Sequence, residues 1–356
     1  MNEKIDVVSI LKEKKPEIDA AVERIIPRAF DEKKIEFVCG KPYYEYDLKT
    51  ATSVLSKPIW DLLDRGGKRW RPALLLIIYE AVSGKKPDKK IFDVAAACEV
   101  IHNGSLMEDD VEDDSQLRRG KPCIHKIYGV DVAVNAGSAM YFLPLNAIVK
   151  NNFPQELKEK AFETYAQEMI NIHFGQGFDI WWHKGHTQPN EKQYLQMCAF
   201  KTGTLARLSA KLGALLAGGS QKQVETLGRF AESIGVAFQI QDDILNLVGE
   251  EFAKGKGVGE DIHEGKRTLL VIHALKKLSP REAKRLREIL DSHPTNQNTI
   301  KEAISLVKKT GAVEYAQEFA RKLVRKAWRD AERVLEESES KRVLKAFADF
   351  LIERKT

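Results

Sequence analysis

The chain is poor in the residues that staple, span or pair into sheets. Only four cysteines occur in 356 residues (Cys39, Cys98, Cys123, Cys198), and no two form a CxxC pair. That argues against a disulfide scaffold and fits a reducing cytoplasm. His183-Lys184-Gly185-His186 has no cysteine beside it, so a structural zinc site is not expected. Apolar runs such as Ala73 to Tyr79 fall far short of the roughly 20 residues that cross a bilayer. The opening Met1-Asn2-Glu3-Lys4 leads into a charged amphipathic stretch without the pattern of a signal peptide. Alternating strand patterns with Asn-Gly or Asp-Gly turns are missing, as are internal repeats. The net charge is only +5 and is spread along the chain. No dense basic patch with interleaved aromatics stands out, so no nucleic-acid partner is expected.

What is present is apolar residues at a spacing close to 3.6 almost throughout, which predicts an all-α protein. Helices are expected from Leu74 after Pro72, over Val94 to Asp110, Ala133 to Lys150, Leu157 to Phe174, Lys201 to Leu216 and Val224 to Leu247. Breakers place loops at 84–89, 120–122, 151–154, 185–190, 249–259 and 292–298. No linker is long enough to demand a second domain, so one domain over 1–356 is expected. The mixed Lys, Arg and Glu of 276–355 read as a solvated helical exterior.

Two aspartate-rich segments interrupt this pattern. The first runs Glu108-Asp109-Asp110-Val111-Glu112-Asp113-Asp114, with Arg118-Arg119-Gly120 close behind. The second is Gln239-Ile240-Gln241-Asp242-Asp243-Ile244-Leu245-Asn246. Acidic runs are usually solvated faces. Here each follows an apolar stretch that reads as a buried helix, which places the carboxylates at inner helix ends. Asp109 and Asp113 stand four apart and share a helical face. Two such clusters facing each other would form a hard-oxygen cage for Mg²⁺, an ion that takes one or two carboxylates plus substrate phosphates.

With its neighbours this arrangement resembles the trans-prenyltransferase (polyprenyl diphosphate synthase) family. The shared motifs run in family order from about residue 60 to 275. They include Gly66-Gly67-Lys68-Arg69-Trp70-Arg71-Pro72, Ile101-His102-Asn103-Gly104-Ser105-Leu106, Arg118-Arg119-Gly120-Lys121-Pro122 and Gly175-Gln176-Gly177-Phe178-Asp179. Lys201-Thr202-Gly203, Gly255-Lys256-Gly257 and Glu264-Gly265-Lys266 complete the set. Within the family the chain is most similar to geranylgeranyl diphosphate synthases of the eukaryotic type. The resemblance implies a single large helical bundle of the isoprenoid synthase type with a central active-site cavity. It also implies a homodimer or higher homo-oligomer, and isoprenoid diphosphates as substrates.

By the same resemblance, Asp109, Asp110 and Asp113 hold Mg²⁺ with Asp242 and Asp243, three ions per site when substrate is bound. Arg118, Lys201 and Lys266 contact the allylic diphosphate, and Lys256 closes over it from a glycine-rich lid. Lys68, Arg71, His102 and Arg119 hold isopentenyl diphosphate without metal, since guanidinium forks match phosphate oxygens. Arg69 is the weaker candidate there, because its side chain should point away from Lys68. The oxygens of Thr202 and Gln239 face the carbocation. Asn246 stands where an aspartate is common; an outer-shell hydrogen bond is expected of it, and Asp179 and Asp261 are outer acids. Gly104 and Ser105, five and four residues before Asp109, are small and leave a product tunnel open, with Tyr141, Phe142 and His173 as its floor. Together these imply a C20 product. Longer polyprenyl or farnesyl synthesis, a terpene cyclase and a non-catalytic helical subunit are the competing readings.

Overall fold

Many helices here begin where a short polar side chain takes up the first free N–H groups. In the computed structural model, which describes residues 5–248 and 259–352, Asp6 starts α1 (Val7–Ile25), Asp31 α2 (Glu32–Cys39) and Asp47 α3 (Leu48–Ala51). A π-turn at Thr52–Ser56 leads into α4 (Lys57–Asp64). Next come α5 (Trp70–Ser83), closed by left-handed Gly84, and α6 (Lys89–Glu112), capped by Asp88. The hairpin β1 (Leu117–Arg118) and β2 (Lys121–Pro122) follows, then α7 (Ile124–Tyr128), α8 (Val130–Phe142) and α9 (Asn146–Val149). The long α10 (Gln155–His183) precedes α11 (Glu191–Cys198), whose start carries an Asn190–Gln193 capping box. After these come α12 (Thr204–Leu216), α13 (Gln221–Val248), α14 (Glu260–His263), α15 (Leu269–Lys277) and α16 (Pro280–Asp291). The chain ends in α17 (Gln297–Lys308), α18 (Ala312–Ala331) and α19 (Glu339–Ile352). The all-α expectation is met.

By its contacts the chain divides into two units. The first comprises Met1–Thr164, Ser209–Val224 and Glu337–Val343. Its core is α5, buried from Trp70 to Ile78 and thus apolar on every side. α6 packs against α1, α5 and α8. Gly213 lets backbone meet backbone: a Cβ there would lie 2.6 Å from the Leu75 carbonyl oxygen. The second unit comprises Tyr165–Leu208, Glu225–Glu336 and Leu344–Thr356. In it, α15 packs on α11, α16, α17 and α18. Arg207 donates to Glu168 at 2.7 and 2.9 Å and also pairs with Glu232, so a buried charge cluster ties α10, α12 and α13.

Three local features depart from the sequence pattern. The predicted helix 133–150 is broken into α8 and α9 by a 3₁₀ turn at Leu143–Leu145, where Pro144 supplies no N–H. Lys201 does not begin a helix; it lies in a π-turn, Ala199–Gly203, between α11 and α12. The β1–β2 hairpin was invisible, because two residues per strand are too few to show alternation. The segment Val130–Val149 is long and apolar enough to cross a membrane by composition, yet 44% of it is buried within the fold.

Gly104 sits where α6 crosses α8: a Cβ there would lie 2.7 Å from Met140 Cβ and 3.0 Å from the Gly137 carbonyl oxygen. Gly104→Ala should therefore overpack this contact and cost about 1–3 kcal/mol of stability, read by urea denaturation. Unchanged stability would mean the two helices separate freely.

Candidate active site

α6 carries its helical face into the first aspartate motif. Asp113 is the C-cap, and its N–H still bonds to the Asp109 carbonyl at 2.9 Å, so the i,i+4 relation of Asp109 and Asp113 survives to the helix end. The carboxylates are not equivalent. The Asp109 side chain is 21% exposed and that of Asp110 only 1%. Arg118 donates through Nε to Asp110 at 2.8 Å and reaches Asp109 at 3.4 Å. Burial alone would lower the Arg118 pKa, but the hydrogen bond and charge of Asp110 hold it above its ordinary value. Burial and the charge of Asp110 also push the neighbouring Cys123 thiol up to about 12.

Arg118 reaches Asp110 because the chain turns back tightly. Arg118 pairs with Lys121, and the two turn residues between them, Arg119 and Gly120, have φ of 54° and 74°. Positive φ at both positions is the two-residue turn that suits the twist of a hairpin. It aims Arg119 elsewhere: its guanidinium donates to the carbonyls of Gly66, at 2.5 Å, and Leu62, at 3.2 Å. Arg69, itself left-handed and buried, is spent on structure, donating to Asp19 at 2.8 Å and Glu99 at 2.9 Å. Glu99 also accepts from Asn103 at 3.0 Å, which gives the asparagine of the His102-Asn103-Gly104 segment its task.

The half-buried His102 lies amid this cationic crowd. Burial, then the charges of Arg71, Arg119, Arg118 and Arg69, push its pKa well below the usual value, so it is a neutral hydrogen-bonding group. Arg71 is buried at the start of α5, with exposed Lys68 on the turn before it. The first unit thus gathers Arg71, His102 and Arg119 into one electropositive neighbourhood.

The chain-length residues fare unevenly. Gly104 is small because α8 requires it, so its size is no sign of an open tunnel. Ser105 is half-buried and donates to the His102 carbonyl at 2.9 Å. Tyr141 is buried, but Phe142 is 71% exposed and His173 is exposed with Nδ1 2.7 Å from the Met169 carbonyl. Phe142 and His173 are thus exposed in the single chain, whereas a tunnel floor was expected to be buried.

In the second unit a glycine brings α10 against the π-turn: a Cβ on Gly175 would lie 2.3 Å from the Lys201 nitrogen. One turn on, Asp179 accepts from Lys201 Nζ at 2.6 Å. Burial would raise the Asp179 carboxyl, yet Lys201 and Lys266 hold it below its ordinary value. Thr202 donates to Gln239 Oε1 at 2.7 Å, and Gln239 Nε2 donates to Asp243 Oδ1 at 2.9 Å. The other Asp243 oxygen accepts from Tyr194 Oη at 2.6 Å. Burial raises the Asp243 carboxyl, against the pull of these two donors, which favour its ionised form. Asp242 is half-buried beside it. Asn246 Oδ1 accepts from the Asp261 N–H at 3.1 Å, and its carbonyl from Gly259 at 3.0 Å. The amide therefore fastens the start of α14. Lys266 pairs with Glu264 and stands 3.9 Å from Asp261. Asp179, Lys201, Gln239, Asp243 and Lys266 line one cleft. Lys256 lies outside the described residues. Sequence reasoning missed Tyr194, because a tyrosine in the second turn of a helix carries no chemical signal until its partner is known.

Among the described residues no three His, Cys, Asp or Glu side chains form a ready cage for a metal. The accessible donors are carboxylate oxygens, which suits Mg²⁺, whose shell is completed by water and substrate phosphate.

A sequence profile of the family described as Polyprenyl synthetase matches residues 52–307. The chain is 38% identical to a short chain isoprenyl diphosphate synthase of Methanothermobacter thermautotrophicus, over 82% of this chain and 88% of the relative. It is 33% identical to a geranylfarnesyl diphosphate synthase of Aeropyrum pernix, over 82% and 92% respectively. The crystal structure of a geranylgeranyl pyrophosphate synthetase from Pyrococcus horikoshii Ot3 superposes with a TM-score of 0.83, at 31% identity and over 98% of both chains.

Removing the two neighbouring carboxylates should have different costs. Asp110→Ala leaves Arg118 buried without its main partner and should lose about 2 kcal/mol in urea melts. Asp109→Ala should melt like the parent. Equal losses would contradict this division.

Proposed function

The chain belongs to the polyprenyl synthetase family, and on that premise we propose that it is a Mg²⁺-dependent prenyltransferase that elongates an allylic diphosphate with isopentenyl diphosphate to C20 geranylgeranyl diphosphate. The observation that carries the reading is a repeated two-tier motif. In each aspartate segment one carboxylate is half-buried (Asp109, Asp242) and the next is buried and held by a donor from elsewhere (Asp110 by Arg118, Asp243 by Tyr194). To the half-buried carboxylates, with Asp113, this reading assigns the metal–diphosphate complex. When bound, Mg²⁺ neutralises charge on the leaving diphosphate.

The chain's own residues then have distinct tasks. Arg118, Lys201 and Lys266 stabilise the diphosphate as the allylic C–O bond breaks and its electron pair leaves with the phosphate. Asp179 and Asp110 hold two of these cations in place beforehand. Thr202 and Gln239 present oxygen dipoles to the carbocation, and neither is nucleophilic enough to trap it. Lys68, Arg71 and Arg119 hold isopentenyl diphosphate, with neutral His102 as a hydrogen-bond partner. The double bond of isopentenyl diphosphate attacks the cation, and the departing diphosphate takes the proton lost as the new alkene forms. Three metal ions, a cytoplasmic location and a homodimer belong to the same proposal. Exposed Val130, Val134 and Phe142 on α8 give a second copy an apolar face to cover.

The C20 length rests on Ser105 and Tyr141, the two remaining ruler residues. Radiolabelled isopentenyl diphosphate with dimethylallyl, geranyl or farnesyl primer should give mainly C20 alcohol after dephosphorylation, and none with chelator. Ser105→Phe should shift the main product towards C15. A dominant C25 product from the parent would favour geranylfarnesyl synthesis, and no incorporation would reject prenyl elongation.

The two diphosphate sites should separate kinetically. Arg119→Ala or His102→Ala should raise KM for isopentenyl diphosphate by about tenfold or more, and Lys201→Ala should do so for the allylic substrate. The reverse pattern in steady-state kinetics would exchange the assignments.

A further inference from the structure

Tyr194 belongs to none of the motifs above, yet its ring is 1% exposed and its hydroxyl ends on Asp243. We infer that Tyr194 is a positioning residue: acting through Asp243 and Gln239, it decides which atoms of Gln239 and Thr202 are free to face a reacting cation. The inference rests on the prenyltransferase reading and adds a residue to it.

The argument is one of donors and acceptors. An ionised carboxylate only accepts, a primary amide has one accepting and one donating end, and a hydroxyl has a single proton to give. Asp243 Oδ1 is 2.9 Å from Gln239 Nε2, so it demands the donating end of that amide. Gln239 Oε1 is thereby turned towards Thr202, whose hydroxyl lies 2.7 Å away and gives it its proton. Thr202 is left with lone pairs and no free proton. An oxygen so oriented attracts positive carbon, whereas a hydroxyl free to rotate can present its hydrogen instead.

The order of this relay depends on its far end. Asp243 Oδ2 is occupied by Tyr194 Oη at 2.6 Å. A phenol is protonated at neutral pH, so it remains a donor. Without that hydroxyl one buried carboxylate oxygen has lost its donor, and such a group reorganises until it finds another. Lys266 lines the same cleft and is the cation whose charge already acts on Asp243. A carboxylate that turns towards Lys266 releases the amide of Gln239, and with it the proton of Thr202. A neutral phenol satisfies Asp243 without consuming a cation that the diphosphate needs.

The test uses the full chain. Tyr194→Phe keeps the ring and removes the hydroxyl. It should lower kcat by roughly 10- to 100-fold, while both KM values and the Mg²⁺ half-saturation change by about twofold or less. Calorimetric binding of an unreactive thiolo-diphosphate analogue with Mg²⁺ should match the parent. Gln239→Ala should lower kcat similarly, and the double variant should be no slower than Gln239→Ala alone, since one relay can be broken only once. Additive losses would overturn the relay. Weakened analogue binding in Tyr194→Phe would overturn it too, by showing that the tyrosine shapes the binding site. A parent enzyme that incorporates no isopentenyl diphosphate but binds the analogue would instead strike down the prenyl-transfer reading.

Discussion

A carboxylate cannot be left bare in a protein interior, and both aspartate motifs put one there. Asp110 and Asp243 are nearly or fully buried at the ends of long apolar helices. Each takes a donor from outside its own helix, and Asp243 takes a second from Gln239 one turn back. The donors come from separate segments: Arg118 from a hairpin, Tyr194 from α11, with Gln239 one turn back on α13 assisting. Much of the candidate site is a consequence of meeting that demand. The hairpin that returns Arg118 also throws Arg119 towards the Gly66–Gly67 turn, and Asp243 sets the amide of Gln239 and so the proton of Thr202.

The second constraint is close approach between helices. Gly104 against α8 and Gly175 against the π-turn at Lys201 are places where a single methyl would collide with backbone or Cβ. At Gly175 this closeness brings Asp179 within 2.6 Å of Lys201. The π-turn itself widens the helix by one residue and projects Lys201 and Thr202 as neighbours, a distortion that recurs at functional sites. The cations of the first unit show the cost of such crowding. His102 is kept neutral by burial and then by the arginines round it, so it contributes a directional hydrogen bond rather than charge.

Much of this was legible in the residues alone. Helix class, the central helix spans and the two aspartate motifs followed from 3.6-residue periodicity and from acidic runs abutting apolar ones. The order of motifs pointed to a family that the comparisons then showed. Gly104 looked like empty space but is a packing residue, and Phe142 and His173, taken for a floor, face outward in this chain. Size at a position says nothing about which neighbour the size serves.

The sequence by itself determined the helical class and the presence of Asp109 and Asp113 on one helical face, because i,i+4 geometry is local and needs no partner. Tertiary structure alone decided that Asp110 would be pinned by Arg118, that Asn246 would fasten α14, and that Tyr194 would hold Asp243. Those partners are 8, 15 and 49 residues apart in the chain. Nothing in their spacing requires them to meet; the packing of the elements that carry them does.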